Sequence, residues 1–160
     1  MKESNFLIAD IKCLLEKKGW IDIPSSGVSM YPLIEEGDIC RFIPLNSEKD
    51  LKKGEIILFA SDKGQLIGHR YCYTFFENGV PYYVLKGDTN VSSDPPVTDV
   101  HLIGKLAMIK KKKFQLDFQG IVARMWTYIV FALPALPRYC KRYLYRKTKL
   151  RSQDREIQRM

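Results

Sequence analysis

Six short segments rich in branched and aromatic residues commit most of this chain to β structure. They are Trp20–Pro24, Ile39–Pro44, Glu55–Ala60, Leu66–Phe76, Val80–Lys86 and His101–Phe114. Such side chains fit a pleated, half-buried surface, and short runs of them bounded by turn residues read as strands. Glu77-Asn78-Gly79 separates two of the segments as a hairpin turn, and Asp62-Lys63-Gly64 does the same for an earlier pair. Pro81 limits the start of its strand, since proline cannot donate to a ladder. A chain of 160 residues, 46% hydrophobic and 28% charged, is long enough for one core and ordinary for a folded domain with appendages. No internal repeat, Gly/Ser linker or low-complexity tract interrupts it.

Within this frame, Gly27-Val28-Ser29-Met30-Tyr31-Pro32-Leu33-Ile34-Glu35-Glu36-Gly37-Asp38 sets a hydroxyl between a glycine and a proline-fixed bend. Glycine permits close approach, and proline fixes φ. A serine so held can present its hydroxyl and its own N–H to a carbonyl, as an acyl-transfer nucleophile with an oxyanion hole requires. An isolated Gly-x-Ser is more often a plain turn, but two further segments supply the missing partners.

The hydroxyl of Ser29 needs a base that can also return the proton to a leaving amine. Imidazole suits both steps, and Gly68-His69-Arg70 lies in a strand segment forty residues on. The only other histidine, His101, has no comparable motif around it. A third group should orient the imidazole. The segment Leu85-Lys86-Gly87-Asp88-Thr89-Asn90-Val91-Ser92-Ser93-Asp94-Pro95-Pro96 offers two, Asp94 and Asp88. Either aspartate also has a structural reading, Asp88 in an Asx-turn and Asp94 as a cap on the prolines. A Ser-Lys dyad would need lysine where His69 stands, and arginine, the next residue, cannot act as a base.

The order and spacing of these pieces, with Ile103-Gly104-Lys105 after them, resemble the signal peptidase I superfamily, which also holds the LexA-type self-cleaving repressors. The resemblance spans about residues 20–112 and is nearer the endoplasmic-reticulum, archaeal and sporulation type, in which His-Arg replaces the lysine base. It implies a coiled, barrel-like β domain, Ser29 as nucleophile, His69 as base, and Asp94 in the place of the triad acid. Asp88 matches a second aspartate of structural or supporting role and remains the alternative. Met30, Leu33 and Ile34 are expected to line a groove that takes an extended peptide by strand addition. No metal or organic cofactor is implied.

Charge divides the chain. Residues 1–100 carry 11 Lys and Arg against 15 Asp and Glu, and residues 101–160 carry 15 against 3. A basic tail suits nucleic acid or an anionic membrane. The uncharged run Met125–Pro137 is 13 residues, short of a span, and Pro134 and Pro137 break it. Trp126, Tyr128, Tyr139, Tyr143 and Tyr145 favour a headgroup boundary, and Arg138, Lys141, Arg142, Arg146, Lys147 and Lys149 follow or flank them. Residues 118–149 are therefore expected to lie on the cytoplasmic face of a membrane, with packing on the domain's own core as the alternative.

At the N-terminus Phe6, Leu7, Ile11, Leu14 and Leu15 share a helical face, and Gly19 offers a stop. Charges interrupt this segment, so it reads as neither signal peptide nor anchor. It is also too short for a helix-turn-helix, which argues against a DNA-binding repressor. Cys13, Cys40, Cys72 and Cys140 lack metal-site spacing and suit partly buried thiols.

The resulting expectation has three parts: an amphipathic helix (1–19), a signal-peptidase-like domain (20–114) and a basic tail (115–160). Its function would be a serine endopeptidase cleaving a leader-like peptide or protein at a membrane surface. A non-catalytic peptide-binding module and a nucleic-acid-binding regulator are the alternatives.

Overall fold

The computed structural model describes residues 2–47, 51–118, 121–132 and 137–146. Helix α1 (Lys2–Lys18) precedes strands β1 (Ile21–Pro24), β2 (Ile39–Pro44), β3 (Ile56–Ala60), β4 (Leu66–Glu77), β5 (Val80–Lys86), β6 (Leu102–Lys110) and β7 (Gln115–Asp117). Helix α2 (Ile121–Ala132) follows, and residues 137–146 are also helical. Every strand pairing is antiparallel, in the order β1-β2-β6-β3-β4-β5, with β7 paired to β6.

The expected barrel does not close. β1 and β5 stand at opposite ends of the strand order, and the sheet is open. The expected strand His101–Phe114 is also two strands. Asp99–His101 forms a 3-10 turn, and a second turn at 111–114 is closed by the Lys111 N–H donating to the Phe114 carbonyl at 2.9 Å. Lys110–Lys113 cannot share a buried strand, so the chain reverses there, and the sheet extends to Asp117, past the expected boundary at 114.

β3 is the centre of the core. All five of its residues are buried, and successive side chains feed two different apolar clusters. Ile56, Leu58 and Ala60 join Phe42, Ile103, Leu106 and Ile109 on one face, under α1. Ile57 and Phe59 join Tyr83, Leu85, Val97 and Leu102 on the other. A strand buried on both faces reads as a continuous apolar run, as Ile-Ile-Leu-Phe-Ala does.

α1 packs through Ile8, Ile11 and Leu15, whereas Leu14 is 54% exposed. The inward stripe of α1 is thus rotated from the expected one. The side chains of Phe6 and Leu7, and Pro134, Lys147 and Lys149, lie outside the described residues. Gly19 ends the helix at φ +78°, its N–H donating to the Leu15 carbonyl. Close seating of α1 needs Gly104, where a Cβ would lie 2.7 Å from the Ile43 carbonyl oxygen and 2.8 Å from Leu15 Cδ2.

Three strands are laced on one face by Asp22. Arg41 donates to it through Nε at 2.8 Å and Nη2 at 2.9 Å, and Lys110 Nζ donates at 2.8 Å. The hydrogen bond from Arg41 is the main reason that the carboxyl sits well below its ordinary value of 3.8, with Lys110 adding to it against partial desolvation. A pKa depressed in the folded state contributes stability that is fully present above the unfolded carboxylate range and is lost as pH falls toward the folded value. Asp22→Asn should therefore lower Tm by about 3 °C at pH 7, a modest effect because the pair is partly solvated. Thermal melts of both proteins should converge as the pH is taken below about 4.

Candidate active site

The loop between β1 and β2 carries Ser29 and is closed at its neck. The Ser25 N–H donates to the Asp38 carbonyl at 2.7 Å, and the Gly37 N–H to the Ser25 carbonyl at 2.9 Å. Gly37 adopts φ +87°, which an L side chain resists. The Asp38 carboxylate accepts from the Glu35 N–H and from Lys111 Nζ at 2.7 Å, tying the loop to the turn after β6. At the tip, the Ile34 N–H donates to the Met30 carbonyl, a single helical turn that starts directly after Ser29. The Tyr31–Pro32 bond in this turn is cis.

Strand alternation sorts the next two residues. His69 lies opposite Ile57 and its ring packs at a tilt against Phe59, while Arg70 turns to the other face. The imidazole bridges two partners. Nδ1 lies 2.6 Å from Asp94 Oδ2, and Nε2 lies 2.9 Å from Ser29 Oγ. A carboxylate can only accept, so Nδ1 carries the proton and the Ser29 hydroxyl donates to Nε2. His69 is buried and Asp94 nearly so, while Ser29 is half-buried. The structure thus brings together Ser29, His69 and Asp94 from a loop, a strand and a second loop. Asp94 is held by its own N–H, which donates to the Leu85 carbonyl at 2.9 Å.

Asp88 has a different partner. Its carboxylate accepts from Arg70 Nε at 2.6 Å and Nη2 at 3.0 Å, with both side chains 1% exposed. Trp126 Nε1 of α2 donates to the same carboxylate at 3.2 Å. Arg70 Nη1 donates to the Gly54 carbonyl at 2.9 Å and to Thr127 Oγ1 at 3.0 Å. Trp126, expected at a headgroup boundary, therefore faces inward. His101 lies elsewhere, bonded to Thr98 Oγ1.

Two residues that sequence reasoning passed over complete the geometry. The buried Thr89 N–H donates to the Ser29 carbonyl at 2.9 Å, and its hydroxyl to the carbonyls of Val28 and Ser29. Gly87 sits where a Cβ would lie 2.9 Å from the Ser29 carbonyl oxygen, 3.0 Å from His69 Nε2 and 3.0 Å from Asn90 Nδ2. Their only signal was membership of the Lys-Gly-Asp-Thr turn.

A cleft of about 570 Å³ opens beside Ser29 and His69. Met30 and Ile34 line it together with Phe42, Leu58 and Gly68. Leu33 does not reach the cleft; it is buried in the core cluster under α1. Cys40 also lines the cleft, but burial pushes its thiol up to about 12 and keeps it protonated. Of the other cysteines, Cys13 is exposed and Cys72 and Cys140 are half-buried, with burial raising both of the latter.

The two aspartates should separate on mutation. Asp88→Asn weakens a buried pair and should cost about 3 kcal/mol of stability, read by denaturant unfolding. Asp94→Asn should leave stability within about 1 kcal/mol, because the side chain is partly exposed and its one hydrogen bond among the described residues is to His69. Gly87→Ala should slow reaction of Ser29 with a fluorophosphonate at least about tenfold while circular dichroism stays native, since the added methyl must push apart the Ser29 carbonyl and His69.

No family model matches the chain, and no curated protein matches it.

Proposed function

We propose that the chain is a serine endopeptidase of the signal peptidase-like type, cleaving a leader-like peptide or protein at a membrane surface. The observation that carries this reading is the continuous hydrogen-bonded path from Ser29 Oγ through His69 to Asp94, at 2.9 and 2.6 Å. Ser29 Oγ attacks the scissile carbonyl carbon as His69 Nε2 takes its proton. Asp94 orients the ring and stabilises the imidazolium that forms. His69 then gives the proton to the leaving amine, and water, deprotonated by the same nitrogen, releases the acyl group from Ser29. The Ser29 N–H supplies a donor for the oxyanion.

The cleft supports an extended peptide as substrate. It runs from Ile23 and Pro24 on the open edge strand β1 to Gln65–His69, so a bound segment can meet strand backbone along the edge while one side chain enters over Phe42 and Leu58. Asp88 takes a supporting role in this reading, as the partner of Arg70.

The membrane part of the proposal rests on the described tail. Tyr139 and Tyr145 are largely exposed among Arg138, Lys141, Arg142 and Arg146, a combination that suits an anionic interface. Among the described residues no helix is long and apolar enough to cross a membrane.

The test compares protein N-termini by mass spectrometry in cells carrying the native chain or Ser29→Ala. A defined set of N-termini should disappear in the variant, and His69→Ala should remove the same set. Unchanged N-termini with both variants expressed would leave peptide binding without cleavage as the function.

A further inference from the structure

We propose that helix α2 is a working part of the Ser29–His69 site, with Trp126 and Thr127 as positioning residues. The inference rests on the peptidase reading for its chemistry but on separate contacts for its geometry. α2 touches neither Ser29 nor His69 in the hydrogen bonds described. It bonds instead to Arg70, the chain neighbour of His69, and to Asp88, which is flanked by the two residues that contact the Ser29 carbonyl. Thr127 Oγ1 accepts from Arg70, the residue after His69, at 3.0 Å. Trp126 Nε1 donates to Asp88 at 3.2 Å, and Asp88 stands between Gly87 and Thr89. Gly87 lies against the Ser29 carbonyl and His69 Nε2, and Thr89 holds the Ser29 carbonyl through its N–H.

The helix therefore reaches the His69 side of the site through the next residue in the chain, and the Ser29 side through the segment 87–89 that contacts the Ser29 carbonyl. Arg70 and Asp88 are both 1% exposed, so a lost donor or acceptor there is felt in a poorly solvated pair. Removing the indole N–H leaves Asp88 Oδ2 with one donor among the described residues, Arg70 Nη2 at 3.0 Å, and the carboxylate must shift toward Arg70 or admit solvent. Either shift is transmitted through one peptide unit to Thr89 and through one to Gly87. A displacement on that scale at a hydrogen-bonded nucleophile is costly, since proton transfer demands a heavy-atom separation near 3 Å, roughly. Trp126 also packs against the large apolar cluster to which Met30 and Ile34 belong.

The experiment uses the full chain with Trp126→Phe, Thr127→Val and Thr127→Ser, and Val100→Thr as a control at an exposed position away from the site. Three quantities are read: the rate at which a fluorophosphonate labels Ser29, the downfield proton resonance of the His69 Nδ1–H that bonds Asp94, and Tm. Trp126→Phe keeps a ring in the packed position and loses only the donor. It should slow labelling about tenfold, the scale of one hydrogen bond to a charged group, and should move or broaden the His69 resonance. Thr127→Val should act in the same direction, and Thr127→Ser, which keeps the acceptor, should restore the native rate and resonance. A purely structural helix would change Tm alone.

Native labelling rates and an unmoved His69 resonance in a folded Trp126→Phe or Thr127→Val would overturn the proposal. Should Trp126→Phe fail to fold, the Val and Ser variants at 127 decide it by the same two readouts. If the native chain is not labelled at all, the resonance still decides: its movement in the variants supports the brace while the peptidase reading fails.

Discussion

The buried pair of Arg70 and Asp88 holds the site side of this molecule together. Taking two charges out of water costs several kcal/mol per ion, roughly, and such a pair survives only when its remaining donors and lone pairs are satisfied. Here they are. The guanidinium reaches Asp88 twice, the Gly54 carbonyl and Thr127, and the carboxylate takes a further donor from Trp126. Among the described residues no buried side-chain nitrogen or oxygen is left without a partner. Lysine could not replace Arg70, because a point charge with rotatable donors cannot serve three segments in a fixed planar fork. One side chain thereby joins the turn before β3, strand β4, the loop after β5 and helix α2.

Stability and chemistry divide along β4 at a single peptide bond. Alternation sends His69 toward the Phe59 face and Arg70 toward the face that α2 covers. The contacts of residue 70 are sealed, which suits a permanent support. Those of residue 69 are partly open, with Ser29 half-buried and Asp94 17% exposed, which suits the proton transfer proposed for it. The arrangement depends on β3 being buried on both faces, since only a central strand can present one neighbour to each cluster.

Much of this was legible in the residues and some was not, for identifiable reasons. Strands Ile39–Pro44 and Val80–Lys86 fall where branched and aromatic runs place them, because local composition and flanking turns determine such elements. Closure of a sheet depends on register and twist summed over all strands, and no local pattern reports that sum; the sheet is open. The rotated stripe of α1, with Ile8 inward and Leu14 outward, reflects a helix whose apolar arc is wider than the face that Gly104 admits. Asp88 and Asp94 could not be told apart locally, since both sit in turn sequences. Their difference arises when the loop folds back across β5 and the Asp94 N–H meets the Leu85 carbonyl. Trp126 read as an interface residue because sequence shows amphipathic character, not which partner an indole N–H will find.

The space around Gly87 explains why these distant segments have to agree. A carbonyl from the Ser29 loop, the imidazole of β4 and the amide of Asn90 converge to 2.9–3.0 Å from the point where a Cβ of residue 87 would stand. A side chain at residue 87 would press on all three, so glycine there lets the Ser29 loop and His69 approach to the 2.9 Å of their hydrogen bond. Preorganisation of that kind spares the site the reorganisation that a solvated pair would need. It also makes the site depend on remote supports, because a gap defined by backbone is only as constant as the elements that hold that backbone. The chain meets this requirement by anchoring the segment on both sides of Gly87, with Lys86 in the ladder to Arg70 and Asp88 in the buried pair with the same residue.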